Sequence, residues 1–148
     1  MKLSTKGRYG MRLMIDLAAH YGEGPVLLRE IAKREEISEK YLSNLVNPLK
    51  AMGLLEATRG VHGGYVLGKA PAEITMQEIV EALEGSLCLV DCVARPAICN
   101  RVAFCITHDL WREATEGMTR VLEKYTLADM VLRQKTKLER VTPDNYTI

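Results

Sequence analysis

The chain has 148 residues, 47% of them hydrophobic but only 5% aromatic, with a formal net charge of +1. That length fits one ordinary domain, or a small domain with an appendage, around a mostly aliphatic core. No run of 18 or more apolar residues occurs and MKLSTKGRYG lacks the apolar stretch of a signal peptide, so neither a membrane span nor secretion is expected.

The expected location is the cytoplasm, where thiols stay reduced and grouped cysteines serve metals or redox chemistry more than disulfides. The small net charge hides a split. Residues 1–69 carry eleven Lys and Arg against seven Asp and Glu, whereas residues 70–148 carry nine against twelve. A basic amino-terminal half hints at a polyanionic partner.

In chain order, residues 5–21 read as a helix with Tyr9, Leu13, Leu17 and Ala18 on one face and Met14 beside them. Gly22-Glu-Gly-Pro25 stops it. A short helix from Leu28 to about Glu35, a turn at Ile37-Ser38 and a third helix from Glu39 to Met52 follow, with Ser38 as N-cap and Gly53 as C-terminal cap. Tyr41, Leu42, Leu45, Val46 and Leu49 mark the buried side of that third helix, and Pro48 predicts a kink or a tightened last turn. Two short strands, Leu54–Ala57 and Tyr65–Leu67, flank the glycine-rich turn RGVHGG. Thr75-Met-Gln-Glu78 has capping-box spacing and opens a helix to about Glu84. From about Thr107 to Tyr125 a near-heptad stripe returns: Leu110, Ala114, Gly117, Met118, Val121 and Tyr125. Thr126–Asp129 starts one more short helix, and after about Arg133 the polar composition predicts a mobile tail.

The fold class is therefore mainly α with a small β-hairpin: a winged helix-turn-helix over residues 1–70, a second region over 71–133 with a long helix, and a tail over 134–148. A recognition helix needs an apolar face to seat it and short polar or basic side chains to enter a major groove. Here that outer face offers Ser38, Lys40, Ser43, Asn44 and Asn47. Asn pairs well with adenine, and Lys neutralises phosphate. Tyr41, and Lys2 and Arg8 at the amino end, join the candidate set for double-stranded DNA. Arg59 at the wing suits a narrow minor groove, with Gly60 and Gly63 allowing a tight turn and close backbone approach. No nucleotide-binding motif, nucleophile elbow or paired carboxylates stand out, so an enzyme is not expected.

All four cysteines lie in CLVDCVARPAICNRVAFCITH, residues 88–108, which ends in His108. The gaps of three, six, five and two residues fit neither a zinc ribbon nor a CxxC redox pair. Thiolates with an imidazole suit iron–sulfur clusters, zinc or copper(I). A thiol redox switch and inert packing stay open as readings, and Cys88, in SLCLV, fits packing.

Taken together, KLSTKGRYGMRLMIDLA, ISEKYLSNLVNPLKAMGLLEATRG, GGYVLGK, ITMQEIVEALEG, the cysteine and histidine set, LW and TLADMV resemble the Rrf2 family of bacterial transcription regulators, most of all its iron–sulfur cluster sensors. The resemblance covers about residues 1–133. It implies a homodimer held by the long helix after the cysteines, and a [2Fe–2S] cluster on Cys92, Cys99, Cys105 and His108. It also implies control of iron–sulfur cluster biogenesis genes. Where nitric-oxide-sensing members carry an aspartate ligand, this chain has Arg8, a poor ligand. Two departures stand out: the Cys92–Cys99 gap is one residue longer than usual for the cluster sensors, and Ser43 replaces their glutamate. A second reading within the family is a cluster-free regulator of cysteine metabolism acting through a partner protein. A reading from another class is a small metal-binding redox protein.

Overall fold

Ser4 starts the first helix of the computed structural model, which describes residues 2–142. Its hydroxyl accepts from the Lys6 amide at the mouth of α1 (Thr5–Ala19). The helix ends two residues earlier than its periodicity predicts. The His20 amide turns back to the Leu17 carbonyl and the Tyr21 amide to the Ala18 carbonyl, both at 3.2 Å, closing the last turn. Helices α2 (Leu28–Glu35) and α3 (Glu39–Ala51) follow, joined by Glu36 in the left-handed region (φ 54°) and by Ile37. The Ile37 amide reaches the Ala32 carbonyl at 3.1 Å, which fixes the sharp turn between them.

Ser38 caps α3 as its sequence predicts, accepting from the Tyr41 amide at 3.1 Å. Pro48 is tolerated inside the helix, which runs on only to Ala51. Gly53 then takes φ +72°, its amide bonding Lys50 O (2.9 Å) while that of Leu54 bonds Leu49 O (3.0 Å). This paired closure satisfies the carbonyls that the helix end leaves open.

Strands β1 (Leu55–Thr58) and β2 (Gly64–Leu67) pair antiparallel, Leu55 opposite Leu67 and Thr58 opposite Gly64. Val26, in the α1–α2 loop, exchanges both backbone bonds with Tyr65 (2.8 and 2.9 Å). A side chain at Gly64 would strike the Val26 backbone, so glycine there permits the approach.

Helix α4 (Met76–Glu84) returns across the head, closed by the expected Thr75/Glu78 capping box. After it come a one-turn α5 (Asp91–Ala94), two 3-10 turns at Pro96–Ile98 and Val102–Phe104, the long α6 (Ile106–Lys124) and α7 (Leu127–Val141). The starts of α4 and α7 are stitched together: Met76 N bonds Tyr125 O, and Leu127 N bonds Ile74 O, both at 2.9 Å. One core joins these pieces, with Leu13, Met14, Ile31, Leu42, Leu49, Ile74, Ile79 and Leu127 sealed from solvent.

One expectation needs correction. Residues 134–141 are not a mobile tail but the second half of α7. Their polar composition was the signal for mobility, yet Gln, Lys, Leu, Glu and Arg are good helix formers once the Thr126/Asp129 capping box has nucleated the helix. Residues 143–148 of that stretch lie outside the described residues. The near-heptad stripe lies on α6 and is partly open in the single chain, with Leu110 and Val121 53% and 57% exposed. No helix among the described residues is long and apolar enough to cross a membrane.

Candidate functional site

The three helices of the head are held by polar locks as well as by core packing. Asp16 of α1 is buried and takes a two-pronged grip from Arg34 of α2, at 2.7 and 2.9 Å. Arg12 bridges from α1 to Glu35, meeting its carboxylate at 3.2 Å and its backbone carbonyl. The Tyr9 ring stands edge-on against Tyr41 of α3, centroids 5.6 Å apart, and both Arg8 and Arg12 lie over it.

This scaffold turns the outer face of α3 to solvent. Ser38, Lys40, Ser43, Asn44 and Asn47 are all exposed there. They differ in what they can still do. The Ser38 hydroxyl is engaged as the cap, and Ser43 Oγ donates to the Lys40 carbonyl at 2.7 Å. Lys40, Asn44 and Asn47 project from the same face and carry its reach. Tyr41 is half-buried in its packing against Tyr9, so it offers at most an edge. Lys2 and Arg8 are exposed beside this face's amino-terminal neighbour, α1. In the wing, Arg59 and Gly60 are exposed and Gly63 is half-buried. The turn is pinned by Gly63 N on Gly60 O (3.0 Å), and Val61 at its tip is 97% exposed.

The cysteine stretch has the opposite character. It leaves α4 at Gly85, and its start is fastened to α6 by Leu89 N on Thr115 Oγ1 (3.2 Å). Thr115 is buried and also donates to the Trp111 carbonyl. Cys92 lies on α5, Cys99 follows the first 3-10 turn, and Cys105 is the N-cap residue of α6. All four thiols are reduced and half-buried. His108, one turn into α6, is only 5% exposed, and its Nδ1 meets Cys92 Sγ at 3.3 Å. The fold thus draws together Cys92 and His108, sixteen residues apart.

Cys99 and Cys105 do not join that pair, for no three His, Cys, Asp or Glu side chains converge as a metal-holding group among the described residues. Cys105 Sγ instead meets Thr107 Oγ1 at 3.2 Å. That hydroxyl, then the His108 amide, hold the Cys105 thiol below its usual range. Cys88 is half-buried, a weaker packing position than its apolar flanks suggest. Three thiolates and an imidazole suit an iron–sulfur group chemically. The structure assembles half of that set.

Sequence reasoning missed the long-range fasteners. Glu84, at the end of α4, accepts from the amides of Ser4 (2.9 Å) and Gly7 (3.0 Å) and from the Ser4 hydroxyl, so it caps α1 from 77 residues away. The Ser4 hydroxyl, opposed by some desolvation, leads the hydrogen bonds that hold Glu84 below the usual carboxylate range. No local pattern announces such a contact.

Comparison with known proteins agrees with this architecture. A family described as "Rrf2: Iron-dependent Transcriptional regulator" matches residues 3–133. Protein rrf2 of Nitratidesulfovibrio vulgaris is 41% identical over 131 residues, covering 88% of this chain and 87% of its own. The solved structure of CymR, the global cysteine regulator of B. subtilis, superposes with a TM-score of 0.76 at 40% identity, covering 90% of this chain and 98% of its own. T. potens IscR superposes with a TM-score of 0.75 at 38% identity, covering 99% and 95%. The helix-turn-helix, the wing and the long helix are shared with solved members of one group of DNA-binding proteins that are not enzymes, and this chain belongs to the Rrf2 family of transcription regulators.

Proposed function

We propose that this regulator works in the cytoplasm as a homodimer that reads a two-part DNA operator and senses iron–sulfur cluster status through residues 88–108. The observation that carries the sensing part is the buried His108 held against Cys92 in a segment that is otherwise mostly exposed. A buried imidazole on a thiol, with two more thiols in the same short loop, is the donor chemistry of a mixed Cys/His [2Fe–2S] site. Cys92 and His108 would anchor the cluster, and Cys99 and Cys105 would complete the set. When bound, such a cluster supplies a redox-sensitive and supply-sensitive crosslink of the loop.

The chain's own part is mechanical. Ordering residues 92–108 fixes the start of α6, whose exposed Leu110, Ala114 and Val121 form the expected contact with a second copy. Two copies present two α3 faces, and the spacing of operator half-sites makes affinity sensitive to their placement. Lys40, Asn44 and Asn47 would face base edges and phosphates, with Ser38, Ser43 and Tyr41 at the margin. Arg59, Gly60 and Gly63 would follow the minor groove, and Lys2 and Arg8 the flanking backbone. Control of cluster-biogenesis genes follows from what such a sensor measures.

A second reading has its own support. The likeness to CymR is as strong as that to IscR, and the third and fourth thiols stand apart from the Cys92–His108 pair. On that reading the chain regulates cysteine metabolism without a cluster, through a partner protein. Purification without oxygen separates the two. A cluster sensor is coloured, and Cys92→Ala abolishes the visible absorption and alters operator affinity. Colourless protein whose DNA binding ignores iron overturns the cluster reading in favour of the second.

A further inference from the structure

Helix α7 outruns the matched family region, which ends at residue 133, by another two turns. Its second half faces α1 and the end of α2 across an open groove of about 740 Å³. Arg133, Lys137 and Arg140 line one wall, and Arg12 and Glu35 the other. Ile15 and Met130 contribute apolar floor.

The three α7 cations recur at i, i+4 and i+7, so they form one row on one helix face. Like charges so spaced repel each other and weaken a helix unless something anionic covers them. Nothing in the described residues does: none of the three has a carboxylate within ion-pair distance among them. The single acid of the groove, Glu35, is already engaged by Arg12. Other acids near it are Glu36 and Glu39, exposed in the neighbouring turn, and Asp129 and Glu139 on α7 itself.

The groove is also continuous with the face that carries α3. Arg12 shares the Tyr9 ring with Arg8, and Tyr9 packs on Tyr41 of the recognition helix. Arg8 and Arg12 thus lie between the Tyr9–Tyr41 contact with α3 and the α7 row. At a rise of about 1.5 Å per residue that row is roughly 10 Å long. One DNA strand carries a charge about every 3.4 Å along the axis, so the row spans about three phosphates.

We infer that the α1–α7 groove is a second DNA contact of this chain, carrying the phosphate backbone beside the site that α3 reads. This rests on the proposed DNA-reading role of α3, and it adds affinity without base selectivity because phosphates carry no sequence.

The test uses the full chain, purified without oxygen, and a duplex that it selects from a random-sequence pool. Binding is measured over a salt series for the wild type, for Lys137→Gln with Arg140→Gln, and for Lys135→Gln, whose side chain is on α7 but does not line the groove. Glutamine keeps helix propensity. Loss of two phosphate contacts lowers the slope of log affinity against log salt by about 1.8, at ~0.9 per contact. Discrimination against a scrambled duplex stays unchanged, and Lys135→Gln behaves as wild type. An unchanged slope in the double variant overturns the inference while leaving α3's role standing. So does an equal loss in Lys135→Gln, which would mean general charge. Dissociation of the double variant into monomers on sedimentation also overturns it, assigning the groove to a second copy. If the wild type selects no duplex, the DNA-reading role fails and the inference with it.

Discussion

The head and the cysteine loop are built by opposite rules. Between residues 4 and 84 the starts of α1, α3 and α4 are closed by side-chain caps, and Leu13, Leu42 and Ile79 lie in one sealed core. Between residues 85 and 106 no side chain is buried, and apolar groups such as Ile98, Phe104 and Ile106 stand in solvent at 53%, 68% and 78% exposure. Exposed apolar area is unfavourable by roughly 25 cal/mol per Å², so a grouped set of open apolar side chains marks a surface that a second body can cover. The head is finished as a single chain, and the loop and α6 are not. The difference separates a part closed on its own core from a part left open to solvent.

The comparison breaks first in the core. Leu42→Ala deletes a fully buried side chain from α3 and costs about 3 kcal/mol, within the usual range for such truncations. Urea unfolding followed by circular dichroism measures it, and a loss below about 1 kcal/mol would mean that the head is far more plastic than its packing implies.

A smaller effect tests the joint between the two regions. Glu84→Gln removes a charged cap from α1 and costs about 1 kcal/mol at neutral pH. Because the folded state depresses this carboxyl, its contribution is full above the unfolded value, about 4.3, and is lost as the pH falls through the lower folded value. Wild type and variant therefore converge in acid, and a gap that persists there would assign the cost to packing.

The smallest effect is expected in the loop itself. Cys99→Ser in cluster-free protein changes stability by less than about 0.5 kcal/mol, the usual range for positions outside a packed core. A loss comparable to that of Leu42→Ala would erase the distinction between the regions.

Much of the head was legible because its signals are local. Ser38 at the cap, Gly53 at the closure, the Thr75/Glu78 box and the glycine turn each act within a few residues. The tail was misread for a related reason. Polarity after Arg133 suggested mobility, but polarity on a helix face costs little when the residues are good helix formers and the preceding turn is already capped. In the loop the residue types were legible and their arrangement was not. The family resemblance grouped Cys92, Cys99, Cys105 and His108 together, whereas only Cys92 and His108 meet.

The amino-acid sequence by itself determined the winged helix-turn-helix, the exposed polar face of α3 and the concentration of thiols, since periodicity, caps and composition are written along the chain. Tertiary structure alone decided that Glu84 closes α1, that His108 is buried on Cys92, and that Arg12 faces the cations of α7 across a groove. Those contacts join residues 16 to 128 positions apart. Such pairs leave no period in the sequence, because only packing of the helices brings them into reach.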